Sequence, residues 1–151
     1  MQEAVPDTPV EVRYKTERRL IQAGWAAFVV SLFLPMLNDA SGILGFVYSL
    51  IFLLQIFAKP NWAGFYMSSF ALVNLGMLGA ILMPMGLKGM TRRWVSIFYV
   101  LVMCDTISIA FTMEREFLRN PAFWVWCGAS ILIAAGVVKA RMAYLKEQAQ
   151  A

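Results

Sequence analysis

Residues 94–113 read WVSIFYVLVMCDTISIAFTM, twenty residues with one acid, Asp105, and no other charge. At 1.5 Å per residue a helix of this length measures about 30 Å, the thickness of a bilayer's hydrocarbon core. Working outward, the same texture recurs at Trp62–Pro84, Gly42–Ala58 and Leu20–Leu37 on one side and at Pro121–Ala140 on the other. Only short polar punctuation separates these five segments. The pattern predicts an all-α integral membrane protein, a bundle of five membrane-embedded helices of which four or five cross fully.

Composition points the same way. The hydrophobic content of 60% and mean hydropathy of +0.65 lie above the roughly 45–50% apolar usage of soluble domains, leaving more apolar surface than a soluble fold can hide. The chain divides into a charged N-terminal tail (1–19), a transmembrane helical domain (20–140) and a short basic helical tail (141–151). The first tail mixes Glu3, Asp7, Glu11 and Glu17 with Arg13, Lys15, Arg18 and Arg19, and is broken by Pro6 and Pro9. It does not read as a secretory signal, so Leu20 onward is expected to insert as an uncleaved anchor. The net charge of +4 comes from basic residues at segment ends. There they set topology and meet anionic lipid, and no nucleic-acid partner is expected. Arg18, Arg19, Arg92, Arg93 and Trp94 are the topology and lipid anchors, and the expected setting is a bacterial inner membrane.

Lysine and arginine counts test the number of crossings. If all five segments cross, the basic residues divide seven to six across the membrane, which is no bias. If one of the first two turns back, Gly42–Ala58 for instance, they divide ten to three, with both termini cytoplasmic. Against this, seventeen residues suffice to span, and Asn38-Asp39-Ala40-Ser41-Gly42 has the turn chemistry of a tight helical hairpin. Both topologies stay open.

Asp105 falls near the midplane of its segment, where an ionised carboxylate costs about 2.5–3.5 kcal/mol. Ser108, Thr112 and Glu116 follow at helical spacing and draw one polar stripe from midplane to interface. The stripe reads either as a polar clasp, with Asp105 neutral or hydrogen-bonded to Asn74, Gln55 or a neighbouring subunit's cation, or as a proton or cation pathway. Asn74 shares a face with Met67, Phe70, Met77 and Ile81, and Gln55 shares one with Tyr48 and Phe52. Both read as interhelical hydrogen-bonding residues. Small residues four apart recur at Ala23/Ala27/Ser31, Gly45/Ser49, Gly76/Ala80, Ser108/Thr112 and Ser130/Ala134, the spacing that lets helices approach closely in lipid.

Ten methionines, with Met83 and Met85 flanking Pro84, raise copper(I) as a weak candidate, since thioethers suit a soft ion. No paired cysteine joins them, Cys104 and Cys127 reading as small buried hydrophobes, and the chain contains no histidine. Neither a metal nor a cofactor is expected. The loop Gly86-Leu87-Lys88-Gly89-Met90-Thr91-Arg92-Arg93 resembles one in the catalytic subunit of haem–copper oxidases, whose arginine pair meets haem propionates. The likeness covers eight of 151 residues, threonine stands where that family has proline, and the histidines its metals require are missing. The loop therefore reads as an anchor beside the interfacial Trp94.

GxSxG, P-loop and HExxH motifs are absent, and the polar loops are too short to build an aqueous active site, so no enzyme is expected. The sequence favours a small multi-pass accessory or structural subunit of a larger membrane complex. Its partners would be the lipid bilayer and other membrane subunits or copies of itself. The alternative is a small oligomeric proton- or cation-coupled transporter or channel using Asp105.

Overall fold

Proline decides where the first helix stops. In the computed structural model, which describes residues 14–37, 40–58, 62–85, 91–112 and 118–150, helix α1 spans Lys15–Phe33 and Leu34 is extended (φ −80°, ψ 152°). The ring of Pro35 disfavours helical backbone at the residue before it, so the helix ends at Phe33, four residues before the end of the apolar segment Leu20–Leu37. Pro35–Leu37 (β1) then pairs antiparallel with Ala40–Ser41 (β2), Pro35 opposite Ser41 and Leu37 opposite Ala40. The turn expected at Asn38 and Asp39 lies outside the described residues. Helix α2 (Gly42–Ala58) follows directly. The Gly42 N–H donates to the Leu34 carbonyl at 3.0 Å, and a side chain at Gly42 would collide with the Ser31 carbonyl.

Helix α3 covers Trp62–Gly79 and tightens into a 3-10 segment, Ala80–Met85. Pro84 cannot donate an α-helical hydrogen bond, which accounts for the change of winding ahead of it. Helix α4 covers Arg93–Thr112. Helix α5 begins with Pro121 at its first position, where a missing N–H costs nothing, and continues to Gln150. Its thirty residues extend about 45 Å, carrying the expected basic tail as part of the same helix. The described chain is thus helical apart from the short β pair. Among the described residues two helices, α4 and α5, are long and apolar enough to cross a membrane, and α2 and α3 supply the shorter apolar stretches Gly42–Ile56 and Ser68–Leu82.

The closest packing is between α1 and α5. On α1, Glu17, Ile21, Gly24, Phe28 and Ser31 are buried. On α5, Ala122, Trp126, Ala129, Ile133, Gly136 and Ala140 form one buried stripe, and Phe123, Cys127, Ser130, Ala134 and Val137 form a second. The alternating 4-3 spacing is that of left-handed helix pairs. Glycine sets the separation. A Cβ on Gly24 would sit 2.8 Å from the Ala129 carbonyl oxygen, and one on Gly136 would sit 2.7 Å from the Ile21 side chain. The expected series Ala23/Ala27/Ser31 does not make this contact as a unit: Ala23 is exposed and Ala27 half-buried, while Gly24 and Ser31 face α5 and the core.

Tyr14 meets Glu147 (3.2 Å), Gly136 abuts Ile21 and Glu17, and Gly24 abuts Ala129. Rising numbers on α1 therefore meet falling numbers on α5, and the two helices run antiparallel. The start of α1 and the end of α5 lie at one end of the molecule. Arg141 donates to the Thr91 carbonyl at 2.5 Å, bringing the start of α4 to that end as well. On the other flank α2 and α3 are antiparallel, with Ser49 beside Asn74 and Phe52 beside Ser68. Tyr99 of α4 reaches Gly76 of α3, and α4 also packs along α5.

Candidate functional site

The polar residues that enter the core converge on Asn74. Phe70, Asn74 and Met77 fall on one side of α3 and all three are buried, as their helical spacing predicts. The Trp126 indole N–H of α5 donates to Asn74 Oδ1 at 2.8 Å. Asn74 Nδ2 donates to Ser49 Oγ of α2 at 3.3 Å, and Ser49 donates in turn to the Phe46 carbonyl at 2.7 Å. One amide side chain thus joins three helices by using its acceptor toward one and its donor toward another. Aromatic packing holds the indole in place: Phe70 stacks on Trp126 with ring centroids 5.7 Å apart, and Phe123 lies 6.0 Å away on a tilted ring. A cavity of about 30 Å³ adjoins the cluster, lined by Ser31, Met36, Gly45, Asn74 and Trp126 among others. That is room for about two waters and for no larger ligand.

Within the chain Asp105 meets neither of the two residues expected as its partners there. It is half-buried on the flank of α4, and the Ser69 hydroxyl of α3 hydrogen-bonds its carboxylate. Neither Asn74 nor Gln55 is its partner: Asn74 is engaged with Ser49 and Trp126, and Gln55 is exposed on α2, on the same outward side as Tyr48. The rest of the polar stripe also faces out. Ser108 and Thr112 are exposed, and Thr112 donates to the Ser108 and Ile109 carbonyls of its own helix. Glu116 lies outside the described residues. The buried face of α4 is instead Tyr99, Val102, Thr106 and Ile109, with the Thr106 hydroxyl bonded to the Val102 carbonyl at 2.8 Å.

Two buried hydrogen-bonding residues, Trp126 of this network and Tyr99 of α4, are not expected from sequence position. By position Trp62, Trp94, Trp124 and Trp126 read as an interfacial belt; the side chain of Trp62 lies outside the described residues, Trp94 and Trp124 are exposed, and Trp126 is buried. Its partner is invisible in sequence because Asn74 lies 52 positions away. Tyr99 is buried and its hydroxyl donates to the Gly76 carbonyl at 2.7 Å. The available signal was a lone phenol within an apolar helix, where a buried hydroxyl needs a partner.

The cysteines part company: Cys127 is buried as expected, whereas Cys104 is exposed. Met83 and Met85 belong to the 3-10 segment, but their side chains, like the whole of Met90, lie outside the described residues. Met77 is fully buried in the core. Among the described residues no three histidine, cysteine or acidic side chains gather as metal ligands would. Arg19, Arg92, Arg93 and Trp94 are exposed and Arg18 is half-buried. They collect at the shared end of α1, α4 and α5 together with Lys139, Arg141 and Lys146.

No protein-family model, no curated protein and no solved structure matches the chain.

Proposed function

We propose that the chain is a small non-catalytic subunit of a larger membrane complex, held in the bilayer by four crossing helices with both termini cytoplasmic. The antiparallel packing of α1 on α5 carries this topology. Five successive crossings would leave the first and last helices parallel. Four crossings, by α1, α3, α4 and α5 with α2 turning back, leave them antiparallel. The same path divides the basic residues ten inside to three outside, a bias that suits a bacterial inner membrane.

The subunit reading is supported by how the polar groups are used. Asn74 is closed by Ser49 and Trp126, and Asp105 by Ser69. Inside the chain these groups act as clasps between its own helices. Gln55, Ser108 and Thr112 point outward from faces otherwise crowded with apolar side chains such as Leu54 and Phe111. Amide and hydroxyl groups on such a face are what a neighbouring helix can bond in lipid. Purification of the full chain in mild detergent tests this directly: co-migration with a defined membrane partner is expected, and a lone species of monomer mass would refute it.

A second reading is favoured by one observation, the outward position of Ser108 and Thr112 beside Asp105, which would line a cation path between copies. Asp105→Asn separates the two, because it keeps size and hydrogen bonding but removes the titratable proton. Loss of a proton- or cation-dependent flux with assembly intact favours transport. Dispersal of the complex by Asp105→Leu but not by Asp105→Asn favours the clasp.

A further inference from the structure

We infer a phospholipid site on the outer surface between α3 and α4: an apolar groove that takes one acyl chain, with the exposed Arg92 and Arg93, which immediately precede the lining residue Trp94, to receive an anionic headgroup. It rests on the membrane reading above and not on the subunit reading. The groove has a volume of about 490 Å³ and is lined by Leu72, Leu75, Gly76, Gly79, Trp94 and Phe98 among others. That volume falls within the range of small-ligand sites, roughly 300–1,000 Å³.

Its floor opens at Gly79 of α3, whereas at Gly76, which also lines it, a Cβ would lie 3.2 Å from Phe98 and 3.3 Å from Val102 and marks the close approach of α3 to α4. A Cβ on Gly79 would meet nothing within 4 Å, so the space above it is open. One polar group of that floor, the Gly76 carbonyl, already accepts the Tyr99 hydroxyl at 2.7 Å. That carbonyl and hydroxyl satisfy each other, and the remaining lining side chains are apolar or aromatic, which suits a hydrocarbon occupant.

The residues just before Trp94 have the opposite chemistry. Trp94 and Val95 line the groove, and Arg92 and Arg93, directly before them, are exposed. Guanidinium groups bind phosphate through paired N–H donors. Around them lie Lys15, Arg18, Arg19, Lys139, Arg141 and Lys146, against Glu17 and Glu147 as the described acids of that end. An anionic phospholipid matches both halves at once, tail along the glycine floor and phosphate at the arginine pair. A partner helix would match only the first.

The test is native mass spectrometry of the full chain in mild detergent, titrated with phosphatidylglycerol and phosphatidylcholine of identical acyl chains. The wild type is expected to retain one phosphatidylglycerol about tenfold to thirtyfold more strongly than phosphatidylcholine, the worth of two arginines near a headgroup. Arg92→Gln with Arg93→Gln is expected to erase that preference. Gly79→Leu, whose Cβ would meet nothing within 4 Å, is expected to abolish retention of both lipids with helix content unchanged, and Leu72→Trp is a second groove-filling variant. Lys139→Gln with Lys146→Gln removes the same charge from the same end and is expected to change nothing.

Equal retention of the two lipids by the wild type would overturn the proposal. So would wild-type retention by both groove-filling variants, or an equal loss in the lysine double variant. If the chain is soluble and monodisperse without detergent, the membrane reading itself fails. If it requires detergent yet shows no lipid preference, only the lipid site falls.

Discussion

The Trp126 indole N–H donates to Asn74 Oδ1 at 2.8 Å, joining α5 to α3 across 52 positions of sequence. Because Asn74 also donates to Ser49 of α2, this one bond helps set the register of three helices. Buried in an apolar interior, a register shift would strand both a donor and an acceptor. Trp126→Phe and Asn74→Leu are each expected to lower stability by about 1–2 kcal/mol. The double variant is expected to show coupling of about 0.6–1.7 kcal/mol, the range of interhelical hydrogen bonds in bilayers. Reversible unfolding in mixed detergent measures all three, and additive losses would show that the bond carries no stability of its own.

Glycine position, more than glycine content, is expected to govern the α1–α5 pair. At Gly136 an added methyl group would lie 2.7 Å from the Ile21 side chain and 3.0 Å from the Glu17 carbonyl, whereas at Gly128 it would meet nothing within 4 Å. Gly136→Ala is therefore expected to cost about 1–3 kcal/mol through overpacking. Gly128→Ala should raise stability by about 0.5–1 kcal/mol, since alanine is the better helix former. Thermal midpoints of the two variants should move in opposite directions.

Serine-to-alanine changes are expected to divide by hydrogen-bond partner. Ser49 accepts from Asn74, so Ser49→Ala leaves a buried amide donor short of a partner and should cost about 1 kcal/mol. The Ser96 hydroxyl is buried with no partner among the described residues. Ser96→Ala removes an unmet polar group and improves helix propensity, and should stabilise by up to about 1 kcal/mol. The same denaturation assay reads both signs.

Antiparallel α1 and α5 place both ends of the helical unit on one side of any membrane it crosses. Single cysteines introduced at Lys15 and Lys146 in a background lacking Cys104 and Cys127 should be labelled by an impermeant maleimide from the same side. Labelling from opposite sides would restore five crossings and remove the four-span topology.

Several features of the fold were legible residue by residue. Pro121 reads as a first helical position and is one, and Pro35 reads as a place where the first helix either ends or bends, of which the structure takes the end. The burial of Asn74 with Phe70 and Met77 followed from their spacing. The stripe through Asp105 was less well read. Spacing alone placed Ser108 and Thr112 on its line, but it is Thr106 that faces the core. A helix apolar on nearly every side gives no periodic signal to separate the packed face from the exposed one.

What the sequence determined by itself is local: where backbone can be helical, where proline stops it, and that most segments are apolar enough to shun water. Those properties depend on neighbours within a few positions. The tertiary structure decided that Gly24 and Gly136, and not the series from Ala23, set the closest approach of α1 and α5. It also decided that Asp105 meets Ser69 and that Asn74 meets Trp126. These are matters of shape and hydrogen-bond geometry between helices far apart in the chain. Among helices so uniformly apolar, only a missing side chain or an unmet polar group distinguishes one pairing from another.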